Sequence, residues 1–106
     1  MRQTINSQQE FDNGVKGSSG GMMLLFHSSN SDPDDLDKYA TKAEQLCGPT
    51  FSIFSIDIDH VVLSPSDVVK YQDGLFVICC TLLFSDNVIY KEVNPDPADL
   101  TNSIQC

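Results

Sequence analysis

Ser31, Asp32 and Asp34 surround Pro33 where an apolar segment, residues 22–26, gives way to a stretch with helical periodicity. Strand-to-helix junctions gather exposed backbone N–H groups and the positive end of a helix dipole, so thiolates, carboxylates and bound anions are favoured there. This junction offers two carboxylates and a hydroxyl but no sulfur. A serine hydroxyl is too weakly acidic to act as a nucleophile without an adjacent base. Helix capping accounts for the same residues more simply. Asp32 suits the N-cap, Pro33 the first helical position, and Asp34, Asp35 and Asp37 complement the dipole.

Other groupings are weaker. The acidic run 32–37 lacks the glycine and the closing glutamate of a calcium loop. Asp57 and Asp59 alternate along a strand and precede His60, which is compatible with a carboxylate–imidazole metal cluster but also with an ordinary acidic strand end. No metal is expected. His27 lies near Ser28, Ser29 and Ser31, yet no G-x-S-x-G elbow accompanies them. Cys47, Cys79, Cys80 and Cys106 contain no C-x-x-C pair and fit no zinc spacing. In a reducing compartment they read as small buried hydrophobes or bystanders rather than a disulfide set, and the adjacent pair 79–80 is poorly placed to bond to itself.

The 106 residues correspond to one domain, 1–106, enough to bury roughly two-thirds of the unfolded surface without a metal. Fifteen acidic against six basic residues give a net charge of −9. Nucleic acids and anionic membranes need a basic patch, so neither is expected as a partner; a protein partner is. The apolar run 75–84 is too short to span a bilayer. Residues 1–10 are polar and carry no secretory hydrophobic stretch, which makes a cytoplasmic address the expectation.

The elements that must position these residues follow from periodicity. Residues 2–5 form a short strand, and Ser7 with Glu10 a capping box ahead of a helix that buries Phe11 and Val15. The run 17–21, rich in glycine and serine, is a loop. Residues 22–26 show no polar alternation and read as a strand buried on both faces. The helix from about Asp32 to Cys47 buries Leu36, Tyr39, Ala40, Ala43, Leu46 and Cys47, and Gly48-Pro49 ends it. Residues 51–58 form a strand, and Ser64 to Asp67 open a third helix carrying Val68, Val69 and Tyr71. Residues 75–84 and 88–93 form a hairpin about Ser85-Asp86-Asn87. A terminal helix after Asn94-Pro95-Asp96-Pro97 faces Leu100 and Ile104 inward. The order β-α-β-α-β-α-β-β-α predicts a mixed sheet covered on both faces.

That order at this length resembles the thioredoxin family. Residues 2–11 look like the first strand and capped helix of animal cytosolic thioredoxins. Residues 51–59, with Asp57 and Asp59, resemble the third strand, and residues 81–84 followed by Asp86-Asn87 the segment after the cis-proline. The resemblance implies a thioredoxin-like three-layer α/β/α sandwich, with a central mixed sheet of about five strands and four helices. It places the redox motif Cys-Gly-Pro-Cys on Ser31, Asp32, Pro33 and Asp34, where only the proline remains. The preceding tryptophan falls on Asn30, the buried aspartate on Leu25 and the cis-proline on Cys80. With no proline there, a trans peptide is expected before Cys80.

The family's chemistry needs a thiolate at the helix start and a second thiol to resolve the mixed disulfide. Neither is present in the motif, so dithiol–disulfide oxidoreductase activity is not expected, nor is a catalytic residue or cofactor. The expectation is a redox-inactive interaction or structural subunit of a larger assembly. It would dock through the surface around residues 31–34 and Cys80 or through a sheet edge. The alternative is a monothiol redox or thiol-sensing protein in which Cys80 faces that surface as the reactive group.

Overall fold

The computed structural model describes residues 2–17, 20–74 and 77–106. The elements are β1 (Arg2–Ile5), α1 (Gln8–Phe11), β2 (Gly21–His27), α2 (Pro33–Cys47), β3 (Ser52–Asp57), α3 (Pro65–Tyr71), β4 (Ile78–Phe84), β5 (Asn87–Val93) and α4 (Pro97–Ser103). Helix α1 is shorter than its sequence period predicts, because it passes into a π-helical segment, Asp12–Lys16. Phe11 and Val15 are nonetheless both buried. The Ser7 hydroxyl caps the Glu10 N–H at 3.1 Å, while the Glu10 carboxylate reaches back to the Asn6 N–H at 3.0 Å. Residues 18, 19, 75 and 76 of the expected loop and fourth strand lie outside the described residues.

The five strands are ordered β1-β3-β2-β4-β5. β3 runs parallel to both β1 and β2, whereas β4 is antiparallel to β2 and to β5. This order explains why helices cover both faces. The chain crosses one way from β1 to β2 and back from β2 to β3. Two right-handed crossovers in opposite directions put α1 and α2 on opposite sides of the sheet.

Each face has its own core. Met22, Leu24 and Phe26 point to the side covered by α1 and α3, where Phe11, Val15 and Tyr71 meet them. Met23 and Leu25 point to the side of α2 and α4, against Tyr39, Ala40, Ala43 and Leu100. The side chains of a strand alternate between faces, so an unbroken apolar run is what a doubly covered strand needs. Ser85 and Asp86 both adopt positive φ, 51° and 67°, in the two-residue turn that matches the twist of the β4–β5 hairpin.

Polar contacts tie the α2–α4 layer to the sheet and its two helices to each other. Arg2 bridges from β1 to α2, donating to Asp37 and Glu44, each at 2.6 Å, and to Thr41 at 3.0 Å. The Tyr39 hydroxyl donates to the Pro95 carbonyl at 2.8 Å, joining α2 to the entry of α4. The cysteine expectation needs correcting, because Cys47 and Cys106 form a disulfide joining the end of α2 to the segment after α4. Cys79 and Cys80 are free and buried, standing on opposite faces of β4. Among the described residues no helix is long and apolar enough to cross a membrane.

Candidate functional site

The carboxyl ends of β2 and β3 and the entrance to β4 converge at the start of α2. His27 closes β2, pairing with Asp57 on one side and Ile78 on the other. The chain then makes a tight turn in which the Ser31 N–H donates to the Ser28 carbonyl at 3.0 Å. The Ser28 N–H returns a bond to the Ser31 hydroxyl oxygen at 3.0 Å, and that hydroxyl in turn donates to the Val77 carbonyl. Ser31 therefore stitches the β2–α2 turn to the segment entering β4. Its proton and one lone pair are both engaged, which is the opposite of an activated nucleophile.

Asp32 is the N-cap of α2, in extended conformation, with its carboxylate accepting from the Asp34 N–H at 2.9 Å. Pro33 follows as the first helical residue. Its fixed φ suits that position and its missing N–H would have had no helical partner there. Asp34 is exposed, as is Asn30. The tetrapeptide is thus a capped helix start held against β4 through Ser31.

Asp59 braces the same turn. One of its carboxylate oxygens accepts from both the Ser29 N–H and the Ser29 hydroxyl, each at 2.8 Å. The bond from the Ser29 backbone, followed by that from its hydroxyl, holds the Asp59 carboxyl below the usual carboxylate range. Asp57 accepts from the Asp59 N–H at 2.9 Å, and His60 Nε2 stands 3.7 Å from the other Asp57 oxygen. Asp57 and His60 thus face each other, while Asp59 is committed to Ser29. Among the described residues no three His, Cys, Asp or Glu side chains form a cluster that could hold a metal ion.

Cys80 does not face the helix start. The residue that meets Ser31 is Val77, and β4 begins one residue later at Ile78. Cys80 lies further along the strand, opposite Leu25 on β2 and Glu92 on β5. It is fully buried in the core beneath α2 and α4, together with Leu25 and Tyr39. Burial, with a smaller contribution from neighbouring Cys79, pushes its thiol far above the ordinary value. Burial likewise raises the Cys79 thiol on the other face. The expected thiol facing the helix start is thereby corrected: strand alternation turns Cys80 into the core. Every peptide bond among the described residues is trans.

Three features escaped the sequence reading. Val77, 43% exposed, is the apolar residue bordering Ser31, yet nothing in a β-rich run marks one valine as the strand entrance. Asp67 is 2% exposed and accepts from Lys16 at 2.9 Å, Gln8 at 2.8 Å and the Ser64 hydroxyl at 2.7 Å. The Ser64-Pro65-Ser66-Asp67 cap signature was visible, but its link to Lys16 and Gln8 across the fold was not. The Cys47–Cys106 bond was the third.

No family model matches the chain, and no curated protein matches it either. Solved structures do. Mitochondrial thioredoxin 3 from Saccharomyces cerevisiae, in its oxidised form, superposes with a TM-score of 0.69 at 20% identity, covering 95% of this chain and 91% of that one. Fasciola hepatica thioredoxin gives 0.67 at 14% identity, covering 98% and 96%. The reduced Schistosoma mansoni thioredoxin pre-protein gives 0.68 at 9% identity, covering 95% and 92%. The fold is therefore thioredoxin-like along nearly the whole chain. Identities this low speak to fold alone.

Proposed function

We propose that this chain is a thioredoxin-like protein without dithiol exchange, serving as an interaction module or structural subunit of a larger protein assembly. In this reading Ser31, Asp32, Pro33 and Asp34 occupy the place of the redox motif and keep only its architectural role. The observation that carries it is the Ser31–Val77 bond, which engages the hydroxyl at the helix start while both free thiols are buried elsewhere. The partner contacts the surface formed by Asp32, Pro33, Asp34 and Val77, all at least partly exposed. A net charge of −9 favours a partner segment with basic residues and disfavours nucleic acid or an anionic membrane.

A cytoplasmic address belongs to this reading too, with the Cys47–Cys106 bond open to reduction there. The test is a disulfide-reductase assay run beside cross-linking of the native complex. The proposal expects no turnover, and cross-links to the α2 start that Asp34→Lys removes. Turnover like that of a thioredoxin, or cross-links unchanged by Asp34→Lys, would overturn it.

A further inference from the structure

The Cys47–Cys106 bond lies at the opposite end of α2 from the helix start just described, and its surroundings differ from those of a core staple. Cys106 is exposed and Cys47 half-buried. The segment it fastens, residues 104–106, lies across the first residue of β2. A side-chain carbon added at Gly21 would stand 2.1 Å from the Gln105 carbonyl oxygen and 3.0 Å from the Phe51 ring. Only a residue without a Cβ allows that approach. Ile104 packs, partly buried, on the core beneath α2 and α4. The rest of α4 is anchored independently, by Leu100 at 0% exposure and by the Asp96 carboxylate capping the Ala98 N–H at 2.9 Å.

From this we infer that Cys47–Cys106 is a redox-sensitive clasp: closed, it holds residues 104–106 over Gly21 and the end of α2; reduced, it frees them while the sheet and helices persist. The chemistry is ordinary thiol–disulfide exchange with a dithiol reductant. A reductant thiolate attacks the exposed Cys106 sulfur, the Cys47–Cys106 bond breaks, and Cys47 leaves as a thiolate that takes up a proton. The reductant's second thiolate then displaces Cys106 and closes its own disulfide, so two protein thiols form as one reductant disulfide does. A monothiol leaves a mixed disulfide at Cys106 that the released Cys47 can reverse, whereas a cyclising dithiol resolves it and completes the opening. Release uncovers the Gly21–Phe51 corner of the core and frees Cys106 from the Leu46 carbonyl.

The experiment is residue-resolved amide exchange by NMR on the full chain, before and after dithiothreitol and again after reoxidation with oxidised glutathione. Thiol alkylation is followed in parallel. In the oxidised protein neither Cys47 nor Cys106 is alkylated. After reduction both are, and exchange at residues 21, 22 and 104–106 rises by about tenfold or more, as expected for local opening. Residues in β3 and the first turns of α2 keep their protection, and reoxidation restores the original pattern. Cys106→Ser, which cannot close the clasp, shows the open pattern without reductant. Three results would overturn the inference. These are alkylation of Cys47 and Cys106 before reduction, unchanged exchange after it, or a collapse of protection throughout the chain.

Discussion

The Ser31 hydroxyl donates to the Val77 carbonyl, so one side chain ties the α2 start to the β4 entrance. It also accepts from the Ser28 N–H at 3.0 Å. One side chain thus closes a turn and docks it on a neighbouring strand, using atoms that a nucleophile would need free. Ser31→Ala leaves the Ser28 donor and the Val77 acceptor without this partner. A loss of about 1–2 kcal/mol is expected, with the fold retained. Urea denaturation of the variant checks this, and a stability equal to wild type would show the bond to be idle.

The buried thiols give a second expectation. Cys79 and Cys80 are both 0% exposed, and burial holds their thiols protonated at neutral pH. Iodoacetamide should leave both unmodified in the native protein at pH 8 and label them only after unfolding. Rapid labelling of native Cys80, detected by peptide mass spectrometry, would revive the monothiol reading.

Asp67 carries a pH dependence. Burial opposes its charge, but the bonds from Ser64, Lys16 and Gln8 outweigh that cost and hold its pKa below the ordinary value. A carboxylate whose folded pKa lies below its unfolded one stabilises the fold fully above about pH 4. That contribution is lost as the pH falls through the lower, folded value. Asp67→Ala should therefore cost about 2–3 kcal/mol at pH 7, with the gap from wild type closing under stronger acid. Urea midpoints measured from pH 7 down to pH 2 test both the size and the sign.

The clasp has a thermodynamic counterpart. Cys47 and Cys106 are separated by 59 residues. Closing a loop of that length removes unfolded-state entropy worth about 4 kcal/mol in the chain-entropy picture. Cys106→Ser is expected to lower the unfolding free energy by about 2–4 kcal/mol, and wild type in dithiothreitol should fall by the same amount. A variant as stable as the oxidised protein would mean that the bond does not constrain the unfolded chain.

Much of the architecture was legible because local signals and periodicity agreed. The unbroken apolar run 22–26 demanded cover on both faces, and the two opposed crossovers supplied it. Asp32-Pro33 marked the start of α2 to the residue, because capping is a local property of two or three side chains. What was not legible depended on distance. That Val77 rather than Cys80 meets the α2 start depends on a register that only the β2–β4 pairing sets. Four cysteines allow three pairings, and the one that forms depends on where α4 returns the chain. Asp67 looked like one more helix cap, since Lys16 and Gln8 reach it only when α1 and α3 share a face.

If, as proposed, the α2 start carries no dithiol chemistry, the chain does not speed disulfide reduction. The most direct measurement is reduction of a protein disulfide substrate by the wild-type chain, with dithiothreitol as the terminal reductant and a thioredoxin as reference. A rate no greater than that with dithiothreitol alone is expected. Turnover approaching that of the thioredoxin, and lost in Cys80→Ser, would contradict it.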